Sequence, residues 1–351
     1  VPEIKASRPT FNIAGQDSAP LGEGLLRLLI AEDLNGLYRC EATFGNWGEV
    51  DGASNFLYFD RRSLDFGKAF KVKLGIDTLF EGRISALEGN FPEGQSPEIT
   101  VLAEDRFQDL RMVRRTRTFA DASDQDIFSR IANDHGLSLS GNVSGPTYKV
   151  LAQVNQSDLA FVRERARAID AELWMEGSTL KAKTHADRTS DALEMTYGND
   201  LREVNVSADL AMQRSSVSVC GWDVSAKAAI QHEATESVLS SELSGRLSGP
   251  NILQTALGER KEALAHTVPF TAQEARNMAE TYLKLSARRF VTARGTAEAN
   301  SKLRVGGKVD LKGLGPLFNG KYYVTEVRCM FDGEKGLHTD FVAESPGLGR
   351  A

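Results

Sequence analysis

GKAFKVKLGIDTLFEG, residues 67–82, and GKVDLKGLGPLFNG, residues 307–320, are spelled alike and lead into like continuations. After the first come a strand-like run, a loop broken by Pro92, Gly94 and Pro97, and VLAE ending at Glu104. After the second come a strand-like run, a short turn and FVAE ending at Glu344. Phe80 to Ala103 spans 23 positions and Phe318 to Ala343 spans 25. Turn chemistry alone does not produce that agreement in order and spacing. It predicts one β unit used twice, with Gly82 and Gly320 turning the chain and the preceding Phe filling one end of a core.

The flanks carry the same texture. GLLRLLIAEDLNGLYRCEATFGN, residues 24–46, reads as two strands around the turn-forming Asn35-Gly36. In EITVLAED, Ile99, Val101 and Ala103 alternate with Glu98, Thr100 and Glu104, the period of a half-buried strand. β patterning returns from Leu201 to Asp223 and again from Leu303 to Glu344.

Between the two β regions the period changes. Ser123 with Asp126 resembles a capping box and opens DQDIFSRIANDHG, whose buried side is Ile127, Phe128 and Ile131 and which Gly136 stops. A short strand, LSLSG, follows. SDLAFVRERARAIDAELWMEG, residues 157–177, repeats the plan. Ser157 caps it, and Leu159, Val162, Ala166 and Ile169 form one helical stripe, with Arg163, Glu164 and Arg167 facing outward. AELWMEGSTLKAK then reads as a hairpin turning at Gly177-Ser178. Later, SAKAAIQHEATESVLSSELSGRLSGP reads as a polar excursion, and Thr271 with Glu274 caps a helix whose inner stripe is Ala275, Met278, Tyr282 and Leu285.

The fold expected is therefore mainly β with α+β insertions: two β-barrel-like domains joined by a small α/β domain and a helical excursion. The divisions are residues 1–105 for the first barrel, 106–200 for the α/β domain, 201–225 with 290–351 for the second barrel, and 226–289 for the excursion and helix. If the barrels lie side by side, a ring of three chains presents six of them, so that one side imitates six-fold symmetry while the unique parts keep a true three-fold.

Composition narrows the functional class. The 351 residues are 41% hydrophobic and 26% charged, ordinary for a globular protein, and the net charge of -6 does not favour a polyanion partner. No apolar run is long enough to span a bilayer, and VPEIKASRPTFNIAG lacks the order of a secretory signal. Cys40, Cys220 and Cys329 are few, odd in number and set in apolar runs, so they read as small buried hydrophobes of a chain made in the cytosol. Arg106, Arg111, Arg114, Arg115 and Arg117 crowd one segment, but Asp105, Asp109 and Asp121 surround them; they read as a solvated or interface face rather than a nucleic-acid site.

No local motif assigns a chemistry to the chain. RVGGKVDL has Lys302 and Val309 where a phosphate loop needs Gly and Ser or Thr. His135, His185, His232, His266 and His338 are isolated, without metal-ligand spacing. A muralytic enzyme needs two positioned carboxylates; Glu172 and Glu176 flank Trp174, but in a hairpin. For wall binding, the clustered exposed aromatics that sugar stacking uses are not evident, Trp47, Trp174 and Trp222 being scattered. No catalytic, cofactor-binding or metal residue is singled out.

Residues 157–180, SDLAFVRERARAIDAELWMEGSTL, resemble the Ser-Asp-Leu-x-Phe-x-x-Arg, helix, Gly/Ala-x-x-x-Trp/Tyr segment of the late control gene D family of phage tail proteins, a unit also found in the N-terminal hub half of VgrG spike proteins. The run from Thr271 to Val327, a helix with Glu-Ala near its start, then L-x-x-G and F-x-G-x-Y-x-V, is similar to the same family, and the order of elements agrees from about Gly24 to Glu344. The resemblance implies a structural, non-enzymatic baseplate hub of a contractile tail: two tail-tube-like barrels and an α/β domain in a homotrimer with pseudo-six-fold symmetry, joining the hexameric inner tube to the trimeric spike. Its implied partners are tube, spike and baseplate proteins, with no nucleic acid, no cofactor and no membrane in the resting state. It would be made in the cytoplasm and assembled into a phage tail or an extracellular injection particle, a type VI secretion component being left open. FVAESPGLGRA is followed by no OB-like domain or β-helical needle, so the spike is expected on a separate chain or on a fused part beyond this sequence. The alternative is a peptidoglycan-binding or cell-wall-degrading tail-tip protein.

Overall fold

The structure, a computed structural model, describes residues 8–34, 38–188, 190–224, 226–265 and 268–350. The Asn35-Gly36 turn and His266 lie outside these residues. The protein is mainly β, as its alternating sequence predicts.

The first region holds β1 (Thr10–Ile13), β2 (Gln16–Ser18), α1 (Ala19–Glu23), β3 (Leu25–Asp33), β4 (Arg39–Gly45), β5 (Trp47–Val50), β6 (Ala53–Phe56), β7 (Ala69–Leu74), β8 (Asp77–Asn90) and β9 (Glu98–Glu104). Ile99, Val101 and Ala103 all turn inward from β9, where they meet Phe11, Phe44, Phe70 and Phe80. Burial of each Ile, Val or Phe side chain among them stabilises the fold by about 2 kcal/mol. Cys40 and Cys329 lie in this core as free thiols, whereas Cys220 is exposed, contrary to the expectation of three buried cysteines. It sits on a strand that leaves every second side chain to solvent.

The middle region contains α2 (Phe107–Arg111), β10 (Arg114–Ser123), α3 (Asp124–Asp134), β11 (Ser138–Ser140), β12 (Thr147–Ser157), α4 (Asp158–Ala168), β13 (Ala171–Glu176) and β14 (Thr179–Thr184). The capping box forms: Ser123 Oγ accepts from Asp126 N, and the Asp126 carboxylate accepts from Ser123 N. Ser157 caps α4 through Ala160 N. Leu159, Val162, Ala166 and Ile169 pack against Ile127, Phe128 and Ile131 as expected, and the Phe161 ring stacks on Phe119 at 5.6 Å. The β13–β14 hairpin turns at Gly177-Ser178. Arg163 does not face outward with Glu164. It is half-buried, its guanidinium 5.2 Å from the centre of the Phe107 ring, because α2 packs across that side of α4.

The last region contains β15 (Ala192–Thr196), β16 (Leu201–Ala208), β17 (Ser216–Asp223), β18 (Ala228–Thr235), a 3-10 turn (Glu236–Leu239), α5 (Ser240–Leu243), β19 (Leu247–Ser248), α6 (Gly249–Leu257), β20 (Lys261–Leu264), α7 (Ala272–Arg288), β21 (Val291–Glu298), β22 (Lys308–Lys312), α8 (Gly315–Phe318), β23 (Gly320–Asp332), β24 (Gly336–Ser345) and β25 (Gly347–Leu348). Here the expected divisions differ from the elements in three ways. Residues 226–289 are not merely a polar excursion: β18 and β20 flank β17 in a three-stranded sheet covered by α7, with a core of its own. β17, assigned by sequence to the second barrel, belongs to that sheet, and β15, assigned to the α/β domain, pairs in parallel with β22. The inner stripe of α7 is Ala275, Ala279, Leu283 and Ala287; Tyr282 and Leu285 are exposed. Small alanines let the helix approach the sheet closely and so decide which side is buried.

The repeat is clearest in strand register. Every pair from Arg83↔Glu104 to Asn90↔Glu98 recurs 240 positions later, from Tyr323↔Glu344 to Met330↔His338. Both hairpins skip one residue, Ser85 and Thr325, whose hydroxyls donate at 3.3 Å to the equivalent carbonyls of Leu102 and Val342. A second bulge also recurs, at Leu26 between β3 and β4 and at Arg202 between β16 and β21, each beside a buried Leu25 or Leu201. Gly67 and Gly306 both have φ near +80° and donate to Ile84 O and Val324 O. Gly67 thus matches Gly306, not Gly307, and Gly82 matches Tyr322, not Gly320. Nor does Gly82 turn the chain. It lies inside β8, where an added Cβ would stand 2.4 Å from Glu104 O and 2.6 Å from the Phe80 ring, so glycine serves close packing there. The two copies, β3-β4-β9-β8 and β16-β21-β24-β23, join through antiparallel pairing of β3 with β23 into one continuous sheet.

Candidate functional site

Where the α/β region, α7 and the second copy meet, charged side chains converge around a cleft of about 640 Å³. Glu172 on β13 accepts from His185 Nδ1 at 2.8 Å, from Arg188 Nη1 at 2.7 Å and from Tyr323 Oη on β23. Arg188 also donates to Val305 O at 2.6 Å and lies over the Trp174 ring. Arg288, at the C-terminal end of α7, forks between Asp170, just past α4, and Glu242 on α5, with Nη2 2.7 Å from a carboxylate oxygen of each. The His185 ring packs on Tyr323 with centroids 4.1 Å apart.

Burial opposes charge on Glu172, but the His185, Arg188 and Tyr323 donors outweigh it and hold the carboxyl at about 2. Glu242 is likewise held down against burial by Arg288, while burial pushes the Tyr323 phenol up. Chemically this arrangement is a clamp. Its carboxylates are saturated by donors, and four elements distant in sequence are tied to one another.

The same geometry disposes of Glu172 and Glu176 as a glycosidase pair. Glu176 accepts from Trp174 Nε1 at 2.9 Å and pairs with Lys181, and its carboxyl too is held low. Neither has the raised affinity for a proton that a general acid requires. Among the described residues no three His, Cys, Asp or Glu side chains come together as a metal-binding group. The arginine-rich segment is largely spent internally: Arg106 on Asp109, Arg111 on Glu104, Arg115 on Asp158, and Arg117 on Asp134 and Asp158. His135 bonds Asp158, and His338 is buried against Gly336 O.

One surface feature departs from the sequence reading. Trp47, Phe56, Phe59 and Phe91 form an exposed aromatic cluster, with Trp47–Phe56 centroids 5.3 Å apart and Phe59–Phe91 5.4 Å apart. These residues come from the β5–β6 hairpin, its exit and the β8–β9 loop, so their separation in sequence hid them. The clamp was missed because Arg288, Glu172 and Glu242 carry no local motif; the signal available was a basic residue closing an amphipathic helix.

The fold has solved counterparts. The 43 kDa tail protein of prophage MuSo2 from Shewanella oneidensis superposes with a TM-score of 0.70 at 13% identity, covering 97% of this chain and 98% of that one. The tail protein from Neisseria meningitidis MC58 gives 0.68 at 12% identity, covering 97% of each chain. The E. coli c3393 protein, described as a type VI secretion component with structural similarity to the T4 tail proteins gp27 and gp5, gives 0.60 at 13% identity, covering 97% of this chain and 79% of that one. No curated protein matches in sequence. Residues 49–331 match the family model of the Alg8 N-terminal domain. With most of its length inside that match, the chain belongs to the Alg8 N-terminal domain family.

Proposed function

We propose that this protein is the structural hub of a contractile tail or injection system. In this reading it assembles as a homotrimer whose six barrel-like modules seat a hexameric inner tube on one side, while its unique parts hold a trimeric spike on the other, with baseplate proteins around it. The observation that carries the proposal is the duplicated four-stranded unit, with both bulges in equivalent places and its two copies joined in one sheet. Three chains carrying two such units supply six related surfaces, and the α/β region, present once per chain, supplies three. The clamp around Glu172 and Arg288 fits this role, since a hub must carry load between its modules without letting them rotate. The shared fold of tail proteins supports the same class.

No substrate chemistry enters this account, and the particle rather than a membrane or nucleic acid is its setting. Light scattering tests it: the purified chain should have three times its 38.3 kDa mass and should bind tube and spike subunits of its own system. A monomer that binds neither would overturn the reading. The exposed aromatic cluster keeps wall binding as the second reading. Sedimentation with purified peptidoglycan, or clearing of a cell-wall suspension, would favour it; a hub does neither.

A further inference from the structure

Within one chain, β3 of the first copy pairs with β23 of the second. The equivalents of these strands in the opposite copies are β16 and β8, and among the described residues both present free edges. β16 ends the sheet path, and the stretch of β8 from Ser85 to Asn90 pairs only with β9 among the described residues. Glu88, Gly89 and Asn90 are exposed, as are Asn205 and Ser207. An unpaired edge of this kind is a template for strand addition.

We infer that a second copy of this chain adds its β16 to the free edge of β8, antiparallel, in the register already used between β3 and β23. This rests on the hub reading and names the surface by which the trimer closes. The internal pairs Val327↔Glu32, Arg328↔Ala31, Cys329↔Ile30 and Phe331↔Leu28 translate, through the two repeat registers, into Leu87↔Ala208, Glu88↔Ser207, Gly89↔Val206 and Phe91↔Val204. The side chains agree with this register. Leu87, Gly89 and Phe91 fall opposite Ala208, Val206 and Val204 on one face, and Glu88 meets Ser207 on the other, with no like charges opposed. Phe91, 62% exposed here, is the equivalent of Phe331, which is partly buried against the first core and paired with Leu28. The exposed aromatic cluster around Phe91 would then sit beside the incoming strand.

The test is disulfide trapping in the full chain carrying Cys220→Ser. Glu88→Cys with Ser207→Cys should oxidise to covalent dimers and trimers in denaturing gels, while Leu87→Cys with Ser207→Cys, one residue out of register, points its thiols to opposite faces and should stay monomeric. A three-chain mass by light scattering without the Glu88–Ser207 link overturns this pairing and leaves the hub reading standing. A monomeric mass overturns both.

Discussion

Glu172 accepts from three donors at the junction of the α/β region and the second copy. Its carboxyl sits at about 2 in the fold against an ordinary 4.5, faced by His185 and Arg188 from the segment after β14 and by Tyr323 from β23. A depressed carboxyl stabilises the folded state above its unfolded value, and that stabilisation is lost as pH falls from about 4.5 through about 2. The shift corresponds to about 3 kcal/mol at neutral pH. Glu172→Gln should therefore lower stability by about that much at pH 7, since breaking a buried pair strands its partners. Urea titrations should show the two proteins converging towards pH 2. A gap that stays constant across the pH range would mean that packing, not charge, sets the role of Glu172.

At the scale of elements, the α/β region was the most legible part of the sequence. Caps at Ser123 and Ser157, a stop at Gly136 and the Leu159–Ile169 stripe are local signals, and local signals survive in any tertiary setting. Phe161→Asp should cost about 4 kcal/mol or more by placing a charge among Phe119 and its neighbours, whereas Ala160→Gln on the exposed side should stay within about 0.5 kcal/mol. Thermal unfolding of the two variants checks the orientation of α4. What was not legible has equally physical reasons. β18 shows only Ile230 and Ala234 to its core, too thin an alternation to stand out. The stripe of α7 is mostly alanine, which carries little apolar weight, so the larger Tyr282 and Leu285 misdirected the reading. The stretch before the long hairpin differs in length between the copies, 15 positions from Gly67 to Gly82 and 16 from Gly306 to Tyr322, with α8 set before β23 only, so the spelled repeat ran one or two residues out of step with the folded one.

For the whole molecule, the duplication that two short glycine-punctuated stretches announced became a sheet in which each copy contributes four equivalent strands. Among the described residues one copy-to-copy junction is made inside the chain, and the complementary edges are left open at β16 and β8. Under the proposed reading, such a chain would close a ring by repeating between molecules what it already does within one, and the α/β region would give that ring its three-fold character. Images of single purified particles viewed end-on put this most directly to the test. The account predicts a closed ring of three chains with six similar lobes on one side and three-fold features on the other. Particles with a single lobed unit per chain, or rings closing at another number, would contradict it.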